Sequence, residues 1–331
     1  MVAQVDSNFV KLSCKKTYTR FLSYLFFEGR PLTTRGRWIN PLVFFLYRLH
    51  RYLPFARQVK APIFILGIGR SGTTILGVTL AMHDAVGFLN EPKALWSYLY
   101  PEEDIIGNYN LNDARYRLSD TEVNLEMIRK AHRILGNYLT LSCSYRVVDK
   151  YPELVFRLDF VRAIFPDAKF LFLYRNGIDT CCSIKAWSHR LGVNVDETSH
   201  DWWGLNDRKW TLLCDQIVAT DLVLGPHIDK IRLFSAHEHR AAVEWIVTMK
   251  EGMRLATEYP DKVLPVKYEN YTMSLNARKK VLDFCDLPPD KRYDEYCSKV
   301  LKKPVEMESK IALPEEIESE FIRVMGMLGY E

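Results

Sequence analysis

Residues 67–74 read Gly-Ile-Gly-Arg-Ser-Gly-Thr-Thr and directly follow an apolar segment, residues 61–66. A strand that enters a glycine-rich turn and then a helix is the local architecture of a phosphate-binding loop. The turn aims backbone N–H groups and the positive end of the helix at an anion. The pattern therefore predicts a strand, a phosphate site and a helix in immediate succession. The alternative is a tight turn that only joins the strand to the helix.

The loop lacks the lysine of an ATP-binding P-loop. Gly67 and Gly72 have the spacing of a Walker A motif, but Thr73 occupies the position of the lysine that binds the outer phosphates of a nucleoside triphosphate. Arg70 supplies the cation instead, and its guanidinium can bind a phosphate through two hydrogen bonds. The predicted anion site comprises Gly69, Arg70, Ser71, Gly72, Thr73 and Thr74.

Strand and helix patterns alternate after the loop, which favours a parallel sheet with crossover helices. The predicted fold class is α/β, a P-loop-like three-layer domain with a central parallel sheet flanked by helices. Strands are predicted near residues 62–67, 85–89, 145–148, 168–174 and 262–267. Helices are predicted near residues 73–83, 121–140, 152–165, 177–191, 207–220, 237–258, 274–285 and 314–328. Residues 92–120 and 192–206 are predicted to be irregular loops.

Three regions are predicted along the chain. Residues 1–60 form a basic, aromatic-rich helical extension, residues 61–290 the α/β domain, and residues 291–331 a C-terminal tail and helix. The first 60 residues contain eleven Lys and Arg against Asp6 and Glu28, although the whole chain has a net charge of only +4. This asymmetry favours peripheral contact with an anionic membrane surface or an anionic ligand. A solvated basic face is the alternative.

The cysteine pattern and the length of the apolar segments indicate the cellular compartment of the protein. The seven cysteines include no Cys-x-x-Cys pair, which is typical of reduced thiols in a cytosol-like compartment. No apolar run reaches the ~18 residues that a membrane span requires. We therefore expect a cytoplasmic protein, either free or peripheral to a membrane. The sequence has no clustered metal-ligand motif, and we expect neither a metal nor a nucleic-acid partner.

A second candidate anion site follows the predicted strand at residues 168–174. Arg175 stands at the carboxyl end of this strand, and Ser183 lies eight residues later in the next helix. Ligands of open α/β sheets bind beyond the carboxyl ends of the strands, so Arg175 is expected to face the same crevice as the phosphate loop. A surface ion pair is the alternative for Arg175 taken alone.

Together, the segments Phe64–Thr74 and Tyr174–Ser183 resemble the two phosphate-binding elements of sulfotransferases. The arginine in the first element is closest to the bacterial, Golgi-type and tyrosylprotein branches of that family. The resemblance implies 3′-phosphoadenosine 5′-phosphosulfate as the co-substrate. It implies that the first element holds the 5′ end of this donor and that Arg175 and Ser183 hold the 3′-phosphate. A basic residue that often follows the serine is replaced by Trp187, and Lys185 or Arg190 would have to substitute.

The resemblance also implies the catalytic residues. Lys150 matches a family lysine that stabilises the leaving group together with Arg70, and Glu91 lies where tyrosylprotein-like members have a catalytic base. His83 is the rival base, since the phenol sulfotransferases use histidine. Tyr268 resembles a tyrosine that contacts the nucleotide, with a core position as the alternative.

The resulting functional prediction is transfer of a sulfuryl group to an acceptor hydroxyl. The acceptor is expected to be a carbohydrate, a lipid-linked glycan or a small natural product, bound by the aromatic stretches at residues 92–120 and 192–206. Two alternatives stay open: an ATP-dependent small-molecule kinase of the P-loop type, and a non-catalytic nucleotide-binding protein with the same fold.

Overall fold

The computed structural model describes residues 3–50, 52–53, 56–195, 198–304 and 311–330. The helices are α1 (Ser7–Leu12), α2 (Cys14–Phe26), α3 (Asn40–His50), α4 (Thr73–Met82), α5 (Lys93–Leu99), α6 (Leu125–Leu141), α7 (Leu158–Ile164), α8 (Gly177–Leu191), α9 (Arg208–Gln216), α10 (Ile228–Ile231), α11 (His237–Glu258), α12 (Tyr268–Met273), α13 (Leu275–Phe284), α14 (Lys291–Val300) and α15 (Glu315–Met327). The strands are β1 (Ile63–Gly67), β2 (Val86–Asn90), β3 (Arg146–Lys150), β4 (Lys169–Tyr174), β5 (Val193–Val195), β6 (Thr198–Asp201), β7 (Gly204–Leu205) and β8 (Val263–Lys267).

The central element is a five-stranded sheet with the strand order β2-β3-β1-β4-β8, and all of its strands run parallel. The strands β2 and β3 lie on one side of β1, while β4 and β8 lie on the other. The chain therefore changes direction across the sheet at β1, and such a switch point opens a crevice at the carboxyl end of the strand. A separate antiparallel sheet of β5, β6 and β7 follows α8.

The sheet is buried on both faces, as expected for parallel strands covered by crossover helices. All five residues of β1 are buried. Phe64 and Leu66 belong to the apolar cluster on one face, and Ile63 and Ile65 belong to the cluster on the other. Alternation of side chains along each strand thus divides the core into two layers around the sheet.

The N-terminal helices are anchored to the edge strand β2 by buried cations. The ammonium of Lys16 donates to the backbone oxygen of Val86 at 2.8 Å, and burial lowers the pKa of Lys16 to about 7. The guanidinium of Arg20 donates to the backbone oxygen of Phe88 and to the carboxylate of Glu28, at 2.8 and 2.7 Å. These bonds fix the polypeptide that follows α2 beside the carboxyl end of β2.

The α/β fold class predicted from the sequence is confirmed, and α11 begins and ends at the predicted residues. Two predicted loops are partly regular. Residues 92–120 contain α5, and residues 192–206 contain β5, β6 and β7, with residues 196–197 outside the described part. Helix α14 was not predicted, because charged and aromatic residues obscure its apolar spacing. The division of the chain at residues 60 and 290 stays a prediction.

Within the described residues, no helix is long and apolar enough to cross a bilayer. Arg51, one of the N-terminal cations counted above, and residues 305–310 of the predicted tail lie outside the described residues.

A pair of helical glycines tests the packing of α11 on the sheet. A Cβ at Gly252 would clash with the buried ring of Phe172 in β4, whereas a Cβ at Gly326 in α15 would meet no atom within 4 Å. We expect Gly252→Ala to lower the free energy of unfolding by about 1–3 kcal/mol, because a well-packed core resists insertion of a methyl group. Gly326→Ala should leave stability unchanged or raise it by up to about 1 kcal/mol through helix propensity. Urea unfolding checks both, and equal effects would contradict the packing.

Candidate active site

The carboxyl ends of the five parallel strands meet at one edge of the sheet, and each strand delivers a residue that the sequence singled out. Across this edge the order is Glu91, Lys150, the phosphate loop (residues 67–74), Arg175 and Tyr268. Neighbouring strands lie about 4.8 Å apart, so the row extends over roughly 19 Å. The topology therefore brings residues from distant parts of the chain into one crevice.

The phosphate loop adopts a conformation that depends on glycine. Gly67 and Gly72 have φ values of +142° and +101°, and a Cβ at Gly67 would clash with the backbone oxygen of Leu173 in the neighbouring strand. Arg70 also has a positive φ, +69°, a conformation that is uncommon for residues other than glycine. Gly72 caps α4 without a side-chain hydrogen bond to the first turn. The end of α4 thus offers backbone N–H groups and a positive dipole to an anion.

Two residues of the loop have internal roles. The hydroxyl of Ser71 is fully buried and donates to the backbone oxygen of Ile68 at 2.6 Å, so it shapes the turn. Thr73 is buried at the start of α4, while Thr74 lines the adjoining cavity. Of the loop's hydroxyl groups, the structure thus brings that of Thr74 to the crevice.

Arg175 and Tyr268 form the opposite side of the crevice. The guanidinium of Arg175 lies over the ring of Tyr268, 4.8 Å from its centre, and donates to Asp179 at 3.0 Å. Its Nε is buried and has no hydrogen-bond partner among the described residues. Tyr268 in turn covers Gly72, where a Cβ would clash with its ring. This unused donor, next to an aromatic ring and the phosphate loop, fits a bound phosphate.

Arg70 joins the two predicted anion elements directly. Its Nε donates to the hydroxyl of Ser183 at 3.2 Å. Burial, followed by the charges of Arg190 and Arg175, lowers the pKa of Arg70. Lys185 is exposed and paired with Glu238 at 2.7 Å, so Arg190 is the better substitute for the missing basic residue. Convergence of three arginines makes the crevice strongly attractive to anions.

Glu91 and Lys150 form an ion pair on the other side of the loop. Lys150 is almost fully buried and its ammonium contacts a carboxylate oxygen of Glu91, whose side chain is 37% exposed. The backbone N–H of Glu91 donates to the carbonyl of Lys150 at 2.7 Å, and Glu91 has a positive φ of +50°. Burial favours a higher pKa for Glu91, but the charges of Lys150 and Lys93 outweigh it and lower that pKa below its ordinary value. Glu91 is therefore ionised at neutral pH.

The pair continues into a chain of alternating buried charges. Lys93 lies 3.6 Å from Glu91 and 3.2 Å from Glu153, and Lys209 lies 3.8 Å from Glu153 and 2.6 Å from Glu244. Burial favours a higher pKa for Glu153, but the two lysines lower it to about 2. Each buried charge thus has an opposite charge beside it, which is the condition for keeping it in a low-dielectric interior.

The far end of this chain of charges returns to the phosphate loop. The indole nitrogen of Trp202 donates to Glu244 at 2.7 Å, and the same ring covers Gly69, where a Cβ would clash with it. Trp187 packs edge-on against Trp202 with ring centres 5.3 Å apart. The loop is therefore enclosed by two tryptophans supplied by α8 and by the turn between β6 and β7.

A cavity of about 330 Å³ opens between the phosphate loop and the N-terminal segment. Glu91 and Lys150 line it, together with Trp187 and Trp202. The segment that connects α2 to α3 supplies another part of its wall. That contribution comprises Glu28, Gly29, Arg30, Pro31, Thr33 and Thr34. Glu91 and Lys150 therefore face a space of the size of a small organic molecule.

The rival base lies elsewhere. His83 directly follows α4, nine residues after the loop, and its ring contacts the backbone oxygen of Pro288 at 2.8 Å while accepting from the N–H of Ala85. It is buried at the amino edge of the sheet, so its role is structural. Sequence reasoning missed Lys93, Glu153, Lys209 and Glu244, since a charge in a helix ordinarily predicts a solvated face. Apolar neighbours on both sides of Lys93, Glu153 and Glu244 could have signalled the burial of these three, but Lys209 directly follows Arg208 and has no such signal.

Residues 62–219 match the model of the sulfotransferase family. The matched segment contains the phosphate loop, Glu91, Lys150, Arg175 and Ser183. Tyr268 lies outside the matched residues.

An uncharacterized protein of Aquifex aeolicus (strain VF5) is 26% identical over 263 residues, which cover 76% of this chain and 28% of that protein. The chain thus spans about 28% of the length of this relative. A sulfotransferase structure from Mycobacterium avium is 12% identical with a TM-score of 0.47, over 88% of this chain and 82% of that one. A sulfotransferase from Alicyclobacillus acidocaldarius is 16% identical with a TM-score of 0.43, over 82% and 97% of the two chains.

The chain of buried charges can be tested by its central lysine. We expect Lys209→Met to lower the free energy of unfolding by about 3–5 kcal/mol, because it leaves two buried carboxylates without their shared cation. Lys185→Met, which breaks an exposed pair with Glu238, should produce no measurable change. Urea unfolding at neutral pH measures both variants. A Lys209→Met protein as stable as the Lys185→Met protein would contradict the proposed role of the network.

Proposed function

We propose that this protein transfers a sulfuryl group from 3′-phosphoadenosine 5′-phosphosulfate to a hydroxyl of an acceptor bound in the cavity beside Glu91. The observation that carries the proposal is the arrangement of two anion sites on either side of a cation-rich crevice, with an ionised carboxylate facing a separate cavity. The family match over residues 62–219 supports the reaction class.

Each end of the donor has a matching set of residues. The amino end of α4, the loop backbone from Gly69 to Thr74 and the guanidinium of Arg70 would hold the 5′-phosphosulfate. Arg175 and Ser183 would hold the 3′-phosphate, with the buried Nε of Arg175 as an unused donor. Tyr268, which lies between Arg175 and the loop, would pack against the nucleotide. Arg190 would add positive charge near the 3′ end.

Lys150 and Glu91 would divide the work of the transfer step. The acceptor oxygen forms a bond to sulfur while the bond from sulfur to the 5′-phosphate oxygen breaks. Arg70 and Lys150 would stabilise the charge that builds on that departing phosphate. Glu91 would take the proton from the acceptor hydroxyl. The ion pair between Lys150 and Glu91 holds the two groups side by side at the cavity before the donor and acceptor arrive.

The cavity supports a polar, hydroxylated acceptor. Asn108 and His200 line it and have buried side-chain nitrogens without partners among the described residues, as does the side-chain oxygen of Asn90. Burial lowers the pKa of His200, so the neutral imidazole offers one donor and one acceptor. Hydroxyl groups of a carbohydrate-like molecule would satisfy these atoms, and the tryptophans would contact its apolar faces.

The two alternatives predict different binding. A kinase would require ATP and a divalent cation, whereas Thr73 replaces the Walker lysine and Arg175 stands where an acidic residue would bind the metal. A non-catalytic protein would bind the desulfated nucleotide tightly without turnover. The ion pair of Glu91 and Lys150 at the cavity favours the sulfotransferase over the non-catalytic protein. A protein that only binds a nucleotide has no need of a paired carboxylate at this position.

Calorimetric titration with 3′,5′-bisphosphoadenosine tests the donor site. We expect Arg70→Ala and Arg175→Ala each to weaken binding by about 10- to 100-fold, because each removes charge-assisted hydrogen bonds to a phosphate. Arg254→Ala is the matched control, since Arg254 lies near the opposite edge of the sheet and pairs with Glu251 at 3.0 Å. Unchanged affinity in both site variants, or tighter binding of magnesium–ATP by the wild-type protein, would refute the proposal.

The role of Glu91 is tested by Glu91→Gln. This variant keeps the size of the side chain but removes its ability to take a proton, so kcat should fall by ~10²–10⁴-fold. The affinity for 3′,5′-bisphosphoadenosine should stay within about threefold, because Glu91 lies on the acceptor side of the loop. A labelled-donor assay on a panel of hydroxylated glycans and metabolites measures the rate. Wild-type turnover in the Glu91→Gln protein would assign the proton transfer to another group.

A further inference from the structure

Large exposed hydrophobic side chains are concentrated in the N-terminal segment. Those within residues 3–50 are Val10, Tyr18, Phe21, Leu25, Trp38, Leu42, Phe45 and Leu49. Soluble surfaces carry single apolar residues routinely, but a contiguous apolar patch marks an interaction site. This distribution marks the N-terminal helices as a candidate interaction surface.

Helix α3 is apolar on both sides. Its inner side packs Val43 and Tyr47 into the core, where both are almost fully buried. The opposite side has Trp38 just before the helix, then Leu42, Phe45 and Leu49, at intervals of four, three and four residues. We call these four residues the outer face of α3. Helical spacing places them on one stripe, directed away from the sheet.

The outer face is highly exposed for its composition. The exposed fractions of Trp38 and Phe45 are 81% and 59%, and those of Leu42 and Leu49 are 43% and 40%. Exposing this stripe to water is costly, since each large apolar side chain gains about 1.5–3 kcal/mol when fully buried. A helix that is apolar on both sides is ordinarily buried in a core or in a membrane.

Cations surround the outer face. Arg35, Arg37 and Arg48 are all exposed, and α3 itself contains no acidic residue. An apolar stripe bordered by arginines and carrying a tryptophan matches the interfacial zone of a bilayer, where apolar groups meet acyl chains and cations meet anionic headgroups. A protein partner would require a complementary acidic and apolar groove, whereas an anionic bilayer supplies both features without a specific shape.

We propose that the outer face of α3 inserts into the interfacial region of an anionic lipid membrane and docks the protein there. The eleven-residue helix is about 16 Å long, about half the hydrocarbon thickness, so it lies along the surface. The inner side stays bound to the core, which means that docking exposes no buried residue.

Docking would place the acceptor cavity close to the lipid. The connection from α2 to α3 lines that cavity, and Phe44 of α3 contacts Tyr109 of the cavity wall with ring centres 5.6 Å apart. Among the three proposed acceptor classes, a hydroxylated group attached to a lipid would reach the site directly. This consequence rests on the proposed function, whereas the docking itself does not.

Vesicle co-sedimentation tests the proposal. We expect the wild-type protein to bind vesicles of phosphatidylcholine and phosphatidylglycerol, and to bind pure phosphatidylcholine vesicles more weakly. The double variant Leu42→Glu/Phe45→Glu should bind about tenfold or more weakly, because it places carboxylates in the acyl zone. The matched control is Leu222→Glu/Leu233→Glu, which changes two leucines exposed by 94% and 81% far along the chain and should bind like the wild type.

Three outcomes would overturn the docking. They are no binding to anionic vesicles, equal binding of both double variants, or a wild-type dimer in sedimentation velocity that only Leu42→Glu/Phe45→Glu dissociates. The last would assign the outer face to a second copy of the chain. Affinity for 3′,5′-bisphosphoadenosine, measured in each variant, should equal that of the wild type. If the wild-type protein did not bind 3′,5′-bisphosphoadenosine, the proposed donor site would be refuted, whereas the conclusion on membrane docking would not change.

Discussion

The candidate site depends on the backbone pairing of β2 with β3. Asn90 lies opposite Lys150 in this parallel ladder, and the N–H of Glu91 donates to the Lys150 carbonyl at 2.7 Å. The backbone pairing therefore places the two oppositely charged side chains next to each other at the end of the sheet. Their ion pair forms without any rearrangement of a loop. The pair places the carboxylate of Glu91 beside a buried lysine at the wall of the cavity.

In the proposed function, the central strand divides the crevice into a nucleotide side and an acceptor side. The loop after β1 lies in the middle, Arg175 and Tyr268 follow β4 and β8, and Glu91 and Lys150 belong to β2 and β3. An in-line transfer needs the donor and acceptor on opposite sides of the transferred group. The strand order supplies this arrangement through backbone hydrogen bonds, which makes it rigid before any ligand binds.

A network of buried ion pairs stabilises the acceptor side of the crevice. Its lysines and glutamates alternate, so that each buried charge lies beside an opposite charge. Lys93, Glu153, Lys209 and Glu244 connect the Glu91–Lys150 pair to Trp202, which covers the loop at Gly69. Removal of Lys209 leaves Glu244 without a cation and leaves Glu153 with Lys93 as its remaining ion-pair partner, and a buried carboxylate that has lost its cation is costly. The network thus couples the shape of the cavity to the shape of the phosphate loop.

Local patterns predicted much of this protein. The glycine-rich octet predicted the turn because φ values near +100° require glycine, and the apolar runs predicted strands buried on both faces. The residues proposed for the donor site could be chosen from the sequence, because phosphate binding needs backbone N–H groups and cations, which a glycine-rich turn and arginines at strand ends supply. The network of buried charges was not, since a lysine in a helix gives no local signal of burial.

The sequence by itself determined the α/β class and the glycine-rich turn at residues 67–74, because both follow from residue type and short spacing. It predicts the roles of Arg70, Lys150 and Arg175, and these roles stay predictions. Only the tertiary structure decided that Glu91 is paired, that His83 is remote and that residues 28–34 close the cavity. It also decided which side of α3 stays outside the core. These outcomes depend on contacts between segments 50 or more residues apart, and no local pattern encodes which distant surfaces meet.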